Sequence, residues 1–303
     1  MKRSTGMMFS RTRREALGRL FWLGGSSLFF SWQVASCRSA TEMDEDDEQI
    51  FRRKFSEAAA LPLGGKPFGD LIAAVALSFK GSPYVAHSLE VSGPERLVVN
   101  LRAFDCLTFV ESSLSIARCV RLKKSSFGDY GEQLQQIRYR SGIIDTYPSR
   151  LHYFTDWVAD NQRKGIVRDM TATLGGVVRA GKIDFMSTHR GSYRQLENDE
   201  YFAEISGMEE RLWSATWYYI SQDQAETALD KVRTGDIVGM TSTVKGLDIA
   251  HTGLAYRSGG TVKLLHASSS GRAVEVTEGS LADYLGAQGK QDGLIVVRAM
   301  DPA

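Results

Sequence analysis

The sequence predicts an α+β fold, and three observations carry the prediction. Apolar residues recur at helical spacing in the region before residue 232, and five short β-like runs bounded by turn residues crowd the chain from residue 235 onward. The two patterns follow one another instead of alternating as βαβ units would, which argues for layers of helix and antiparallel sheet. With 303 residues, 43% of them apolar and 24% charged, the chain suits one large domain or two small ones.

The first segment reads as an address. Residues 1–36 carry Lys2, Arg3, Arg11, Arg13, Arg14 and Arg19 against Glu15 alone, followed by a run from Leu17 to Trp32 diluted with Gly and Ser. That layout is an export signal, and about 16 moderately apolar residues fall short of the roughly 20 that span a bilayer. Thr12-Arg13-Arg14-Glu15-Ala16-Leu17 resembles a twin-arginine signal, with Ala16 where a bulky apolar residue is usual. Val34-Ala35-Ser36-Cys37 resembles a bacterial lipobox, which implies cleavage before Cys37 and lipidation of its thiol. The acidic stretch from Thr41 to Gln49 is too charged to bury, so residues 37–60 are expected to form a lipidated tether, with a catalytic domain over 61–303. The net charge of +1 conceals a mildly acidic remainder once residues 1–36 are set aside, so the chain lacks the basic footprint of a nucleic-acid binder.

Within the domain, Leu71, Ile72, Val75 and Leu77 suggest a helix over 68–79, ended by Gly81-Ser82-Pro83. Weak alternation suggests a short strand over 96–101. Asp105 is a helix cap, and Leu107, Val110, Leu114 and Ala117, widened by Phe109, Ile116 and Val120, predict a mostly buried helix behind it. Residues 121–232 mix polar helical stretches with aromatic clusters and read as a helical insertion that walls a cleft. The β-like runs follow at 235–240, 247–256, 261–267, 273–277 and 293–299.

Of three cysteines, Cys106 and Cys119 remain once Cys37 is assigned to the lipid. A helix separates them by roughly 20 Å, beyond disulfide reach, so both are expected free. A thiol at a helix amino terminus is favoured as thiolate, which singles out Cys106, whereas Cys119 lies deep in the apolar helix. The thiol also needs a base. His251 and His266 lie on runs separated by Arg257-Ser258-Gly259-Gly260, and placing Tyr256 opposite Thr261 sets the two histidines face to face with Cβ atoms roughly 4.5–5.5 Å apart. One imidazole then orients the other; the plainer alternative is a pair of core histidines.

The order of these pieces, Gly81-Ser82-Pro83-Tyr84, Phe104-Asp105-Cys106, then a strand bearing His, a turn and a strand ending in His-Ala, resembles the NlpC-type papain-like cell-wall hydrolases over about residues 65–300. The resemblance implies a papain-like fold whose nucleophile starts a buried helix packed on a small antiparallel sheet, with Cys106 attacking an amide, His251 as base and His266 as orienter. Endopeptidases of that group follow Asp-Cys with Ser-Gly, where Asp and Ser help bind a free amine. Leu107-Thr108 stands here instead, which suits a substrate whose L-alanine nitrogen is acylated. Leu107-Thr108-Phe109-Val110-Glu111, Tyr139-Arg140-Ser141-Gly142, Ser149-Arg150-Leu151-His152 and Phe185-Met186-Ser187-Thr188-His189 resemble the N-acetylmuramoyl-L-alanine amidase-like branch.

That resemblance implies a metal-independent hydrolase of the bond between muramic acid and L-alanine, acting without cofactor on peptidoglycan or muropeptides. The enzyme would sit in the bacterial envelope, periplasmic, with a membrane anchor at Cys37. Tyr84, Asp105, Arg140, Tyr147 and Arg150 are the expected substrate contacts, the alternative for the arginines being pairing with Asp145 or Asp156. Two other readings share these residues: a stem-peptide endopeptidase, and a non-catalytic lipoprotein that binds wall fragments. Residues 174–182 lack phosphate-loop spacing, and His87, His152 and His189 lack paired zinc-ligand spacing. Trp213, Trp217, Tyr218 and Tyr219 read as core.

Overall fold

The computed structural model describes residues 46–62 and 65–302; the export signal, Cys37 and the start of the tether lie outside the described residues. Helices α1 (Asp47–Ala59), α2 (Phe68–Ser78), α3 (Cys106–Leu122), α4 (Phe127–Arg138) and α5 (Phe154–Arg163) come first. The short strands β1 (Val167–Asp169) and β2 (Val177–Val178) follow, then α6 (Phe185–Thr188), α7 (Asp199–Ser214), β3 (Tyr218–Ser221) and α8 (Gln222–Leu229). The chain closes with β4 (Ile237–Ser242), β5 (Ile249–Ser258), β6 (Thr261–Ser268), β7 (Ala273–Val276), α9 (Leu281–Gly286) and β8 (Gln291–Ala299). The strands form one antiparallel sheet in the order β2-β3-β8-β4-β5-β6-β7, with β1 also paired to β8. The predicted α+β architecture and all five carboxy-terminal strands are therefore present.

Helix α3 is the hub, packed against α1, α2 and α4 and lying on β5 and β6. Its start is fixed by Asp105, whose Oδ1 accepts the N–H groups of Leu107 at 3.1 Å and Thr108 at 2.8 Å, while Thr108 Oγ1 accepts the Asp105 N–H at 2.9 Å. A left-handed Lys123, φ 56°, ends it. Such a cap contributes about 1 kcal/mol. Phe109, Val110, Leu114 and Ile116 are fully buried, each contributing about 1.5–3 kcal/mol. Packing thus holds the helix in place, and the cap decides that Cys106 is its first residue.

Three expectations are corrected. The tether expected over 37–60 cannot reach residue 60, because α1 begins at Asp47 and buries Ile50, Phe51 and Ala58 in the core around α3. Asp46, Asp47 and Glu48 read as solvated charge, yet they cap and occupy the first turn, where the helix dipole favours acids. Residues 96–101 form no strand: their backbone groups bond side chains instead, Val98 O to Arg138, Arg96 O to Tyr139 and Leu101 N to Asp47. The segment 121–232 is not a purely helical insertion, since β1 and β3 share one edge of β8, at residues 297–299 and 293–294 respectively. Among the described residues no helix is long and apolar enough to cross a membrane.

Candidate active site

Cys106 is partly exposed at the first position of α3, and Cys119 is buried; both are free thiols. The backbone N–H groups of Thr252, Leu107 and Cys106 point at the Cys106 sulfur and favour its anion. Burial, and secondarily the Asp105 carboxylate, outweigh them and push the thiol up to about 12. The lowered pKa expected of a helix start is therefore not found, because burial of the sulfur, with the Asp105 carboxylate beside it, outweighs the N–H groups. That shift favours the neutral thiol at Cys106.

The Thr252 N–H ties Cys106 to β5 one residue after His251. The pairing of β4 with β5 slips between Met240↔His251 and Thr241↔Ile249, leaving Ala250 as an extra residue immediately before His251. Such bulges re-aim side chains beside active sites. His251 Nε2 lies 2.6 Å from His266 Nδ1, with the rings nearly perpendicular at 80°. Burial holds His251 down to about 3, reinforced by the proximity of His266, and burial holds His266 down to about 4, opposed by Glu275. Both imidazoles are neutral in neutral solution.

The histidines meet by a route the sequence did not predict. The hairpin turns on two residues, Gly259 and Gly260, with φ of 59° and 84°, as tight hairpins require. Ser258, not Tyr256, faces Thr261, so the expected register is off by two. An even shift keeps every side chain on its face. Continued one pair past Leu254↔Leu265, it sets Gly253 opposite His266 and makes His251 the diagonal neighbour, and the missing Cβ at Gly253 lets His266 sit close against β5. A Cβ at Gly253 would lie 2.8 Å from Leu264 Cδ1, 2.9 Å from His266 Cβ and 2.9 Å from the Leu265 carbonyl oxygen. Gly253→Ala is expected to lower kcat at least about tenfold by displacing His266, consistent with the steep dependence of catalysis on sub-ångström placement. Steady-state kinetics with a thermal melt to confirm folding measures it.

Of the other predicted contacts, the structure brings two to Cys106. Tyr84 is half-buried, tied by its N–H to Arg272 O at 2.9 Å. Its phenol is pushed up to about 12 by burial and then by Cys106 and Asp105. Asp105 is adjacent to Cys106, but its Oδ1 is engaged by the cap. Three predicted contacts are corrected. Arg140 grips Asp156 with two bonds of 2.9 and 2.7 Å and lines a separate groove against α7. Arg150, 4% exposed, pairs with Glu90 at 2.7 Å and Glu95 at 3.4 Å and donates to Leu89 O. Its guanidinium stacks over Tyr147, which is 2% exposed and packs on His152, so Tyr147 is core and not cleft lining. Arg150 borders a cavity of ≈ 170 Å³ at the amino end of α3, shared with His87, Glu90, Asp105, Leu107 and His152, but as a paired scaffold group. Trp213, expected in the core, is half exposed.

One residue at the site was missed. Tyr284 on α9 sets its ring 5.2 Å from that of His266 and 6.1 Å from that of His251, and burial followed by the Cys106 charge pushes its phenol up to about 12. Among the described residues no group of three or more His, Cys, Asp or Glu side chains is placed to hold a metal ion.

Residues 74–292 match the model of the AmiA-like family, described as N-acetylmuramoyl-L-alanine amidase-like. The chain belongs to this family. An N-acetylmuramoyl-L-alanine amidase from Bacteroides uniformis shares 34% identity over 77% of this chain and 98% of its own, with a TM-score of 0.72. A Bacteroides fragilis protein provisionally named a xylanase shares 36% identity over 74% of this chain and 98% of its own, TM-score 0.69. A Legionella pneumophila protein, 19% identical over 86% and 97% of the two chains with a TM-score of 0.64, shares the fold. Comparison with curated proteins gave no match. Membership of this amidase-like family agrees with the branch that the motifs around Cys106, Arg140 and Arg150 resemble.

Proposed function

We propose that this family member is a papain-like cysteine amidase that cleaves the bond between N-acetylmuramic acid and L-alanine. The observation that carries the reading is a thiol at the start of α3, held by the Thr252 N–H beside a base, His251, that is itself hydrogen-bonded to His266 at 2.6 Å. Neutral partners imply that proton transfer accompanies attack. The Cys106 proton passes to His251 Nδ1 as sulfur bonds the lactyl carbonyl carbon, and the Cys106 backbone N–H stabilises the developing oxyanion. The imidazolium then protonates the departing L-alanine nitrogen, leaving a thioester. Water, deprotonated by His251, releases the muramic acid carboxylate and restores the thiol.

Two observations support amide over the alternatives. Asp105 and the Thr108 hydroxyl bond each other within the cap at 2.9 Å, which favours a substrate without a free amine to hold. A glycosidase needs two carboxylates across the bond. Here Asp105 is engaged by the cap and Glu111 is buried on Arg138 at 2.7 Å. The same proposal places the protein in the bacterial envelope, on the periplasmic side, lipidated at Cys37 after loss of residues 1–36. Mass analysis after incubation with muramoyl peptides is the test. Intact peptide beginning at L-alanine is the expected product; cleavage within the stem would overturn the specificity.

A further inference from the structure

We infer that Glu275 is a positioning residue that holds the His251–His266 pair in its working tautomer; the inference rests on the proposed role of His251 as base. The β6–β7 register sets Glu275 directly opposite His266, and its Oε1 lies 3.7 Å from His266 Nε2. His266 is fully buried and Nε2 has no hydrogen-bond partner.

The argument is a count of protons. Between His251 Nε2 and His266 Nδ1 there is room for one hydrogen. If His266 supplies it, the proton of neutral His251 sits on Nδ1 and the ring has no lone pair to offer the thiol. If His251 supplies it, Nδ1 of His251 is free to accept, and the proton of neutral His266 must sit on Nε2. The tautomer of one ring nitrogen is set by the bond the other makes. An N–H buried without an acceptor costs about 1–3 kcal/mol, so the working arrangement is disfavoured unless an acceptor faces Nε2.

The groups that face His266 are His251, the ring of Tyr284 and Glu275, and Glu275 alone is a strong acceptor. Its side chain is 42% exposed, free to move the roughly 0.5–1 Å needed for a bond. Gly271 makes the space: a Cβ there would lie 2.5 Å from the Glu275 carboxylate. The carboxylate also stands one ring away from the positive charge that His251 gains as it accepts the thiol proton. Cys106, His251, His266 and Glu275 thus form a line along which each group orients the one before it.

The wrong tautomer in a catalytic triad costs about 10⁴ in kcat, and a partly exposed group one ring further out is expected to cost roughly 10–10². Glu275→Ala is expected to lower kcat by that factor with KM within about twofold. Glu275→Gln, whose side-chain carbonyl still accepts the bond, is expected to recover at least half of the loss on a logarithmic scale. Nitrogen-15 shifts of the His266 ring supply a readout independent of turnover: the proton resides on Nε2 in the unaltered protein and distributes onto Nδ1 in Glu275→Ala. Unchanged ring shifts in Glu275→Ala, or unchanged kcat, would overturn the inference. Undiminished turnover by Cys106→Ala would instead overturn the cysteine mechanism, and the ring shifts would still report on Glu275.

Discussion

Replacing Cys106 with Ala is expected to lower kcat/KM by at least about 10⁴-fold while leaving the melting temperature within a few degrees, because the side chain lost is small and partly exposed. Retained activity would sink the covalent mechanism. The state of the thiol gives this prediction a second arm. With Cys106 pushed up to about 12 and His251 held down to about 3, there is no thiolate–imidazolium pair at rest. Alkylation of the free enzyme by iodoacetamide is therefore expected to be slow at pH 7 and to rise about tenfold per pH unit through pH 9, following the growing thiolate fraction. A plateau near neutrality, the mark of a preformed ion pair, would contradict the assignment. Cys119, buried in the same helix, should label only on unfolding.

The largest expected effect on stability lies in α3, behind Cys106. Glu111 on α3 and Arg138 on α4 are 1% and 3% exposed and meet at 2.7 Å; Trp157 Nε1 donates to the second Glu111 oxygen at 3.2 Å, and Arg138 donates to Val98 O. Burial pushes the Glu111 carboxyl above its ordinary value, the opposite charge of Arg138 works against that rise, and the Glu111 charge in turn raises the Arg138 guanidinium. Removing one partner leaves the other as an isolated buried charge, which costs about 3–5 kcal/mol. Arg138→Ala is expected to lower the melting temperature by about 10 °C, at the 2–4 °C per kcal/mol typical of a domain this size. The double change Glu111→Leu with Arg138→Met, which removes both charges and keeps volume, is expected to be milder than either single truncation. A double variant worse than Arg138→Ala would show that the pair contributes more than mutual neutralisation.

What the sequence disclosed follows the range of the forces involved. The start of α3 was legible because its determinants are local: Asp105 three residues before Thr108, then apolar residues on one face. The histidine pair was legible because strand alternation fixes the face, but the register was not, since a two-residue turn at Gly259-Gly260 and a longer loop leave the same face buried. Arg140 takes the alternative that the sequence offered, Asp156, whereas the partners of Arg150 are remote in sequence: it finds Glu90 and Glu95 across a loop that only the fold brings near. Tyr284 was missed for the same reason, lying on a six-residue helix in the last turn of the chain before β8. Asp46, Asp47 and Glu48 were mistaken for solvated tether because charge density signals exposure, whereas they cap and fill a helix's first turn and the buried residues follow them.

The protonated state of Cys106 has a consequence for how long the enzyme survives. Peroxide attacks thiolate, and oxidation beyond the sulfenic stage is irreversible for most proteins. A sulfur that holds its proton spends little of its lifetime as a target. Among the described residues the other thiol, Cys119, lies buried further along the same helix and cannot reach it to form a reducible bridge. Chemical durability at this site therefore depends on keeping the proton on the sulfur between turnovers, and the capping carboxylate of Asp105 helps to keep it there.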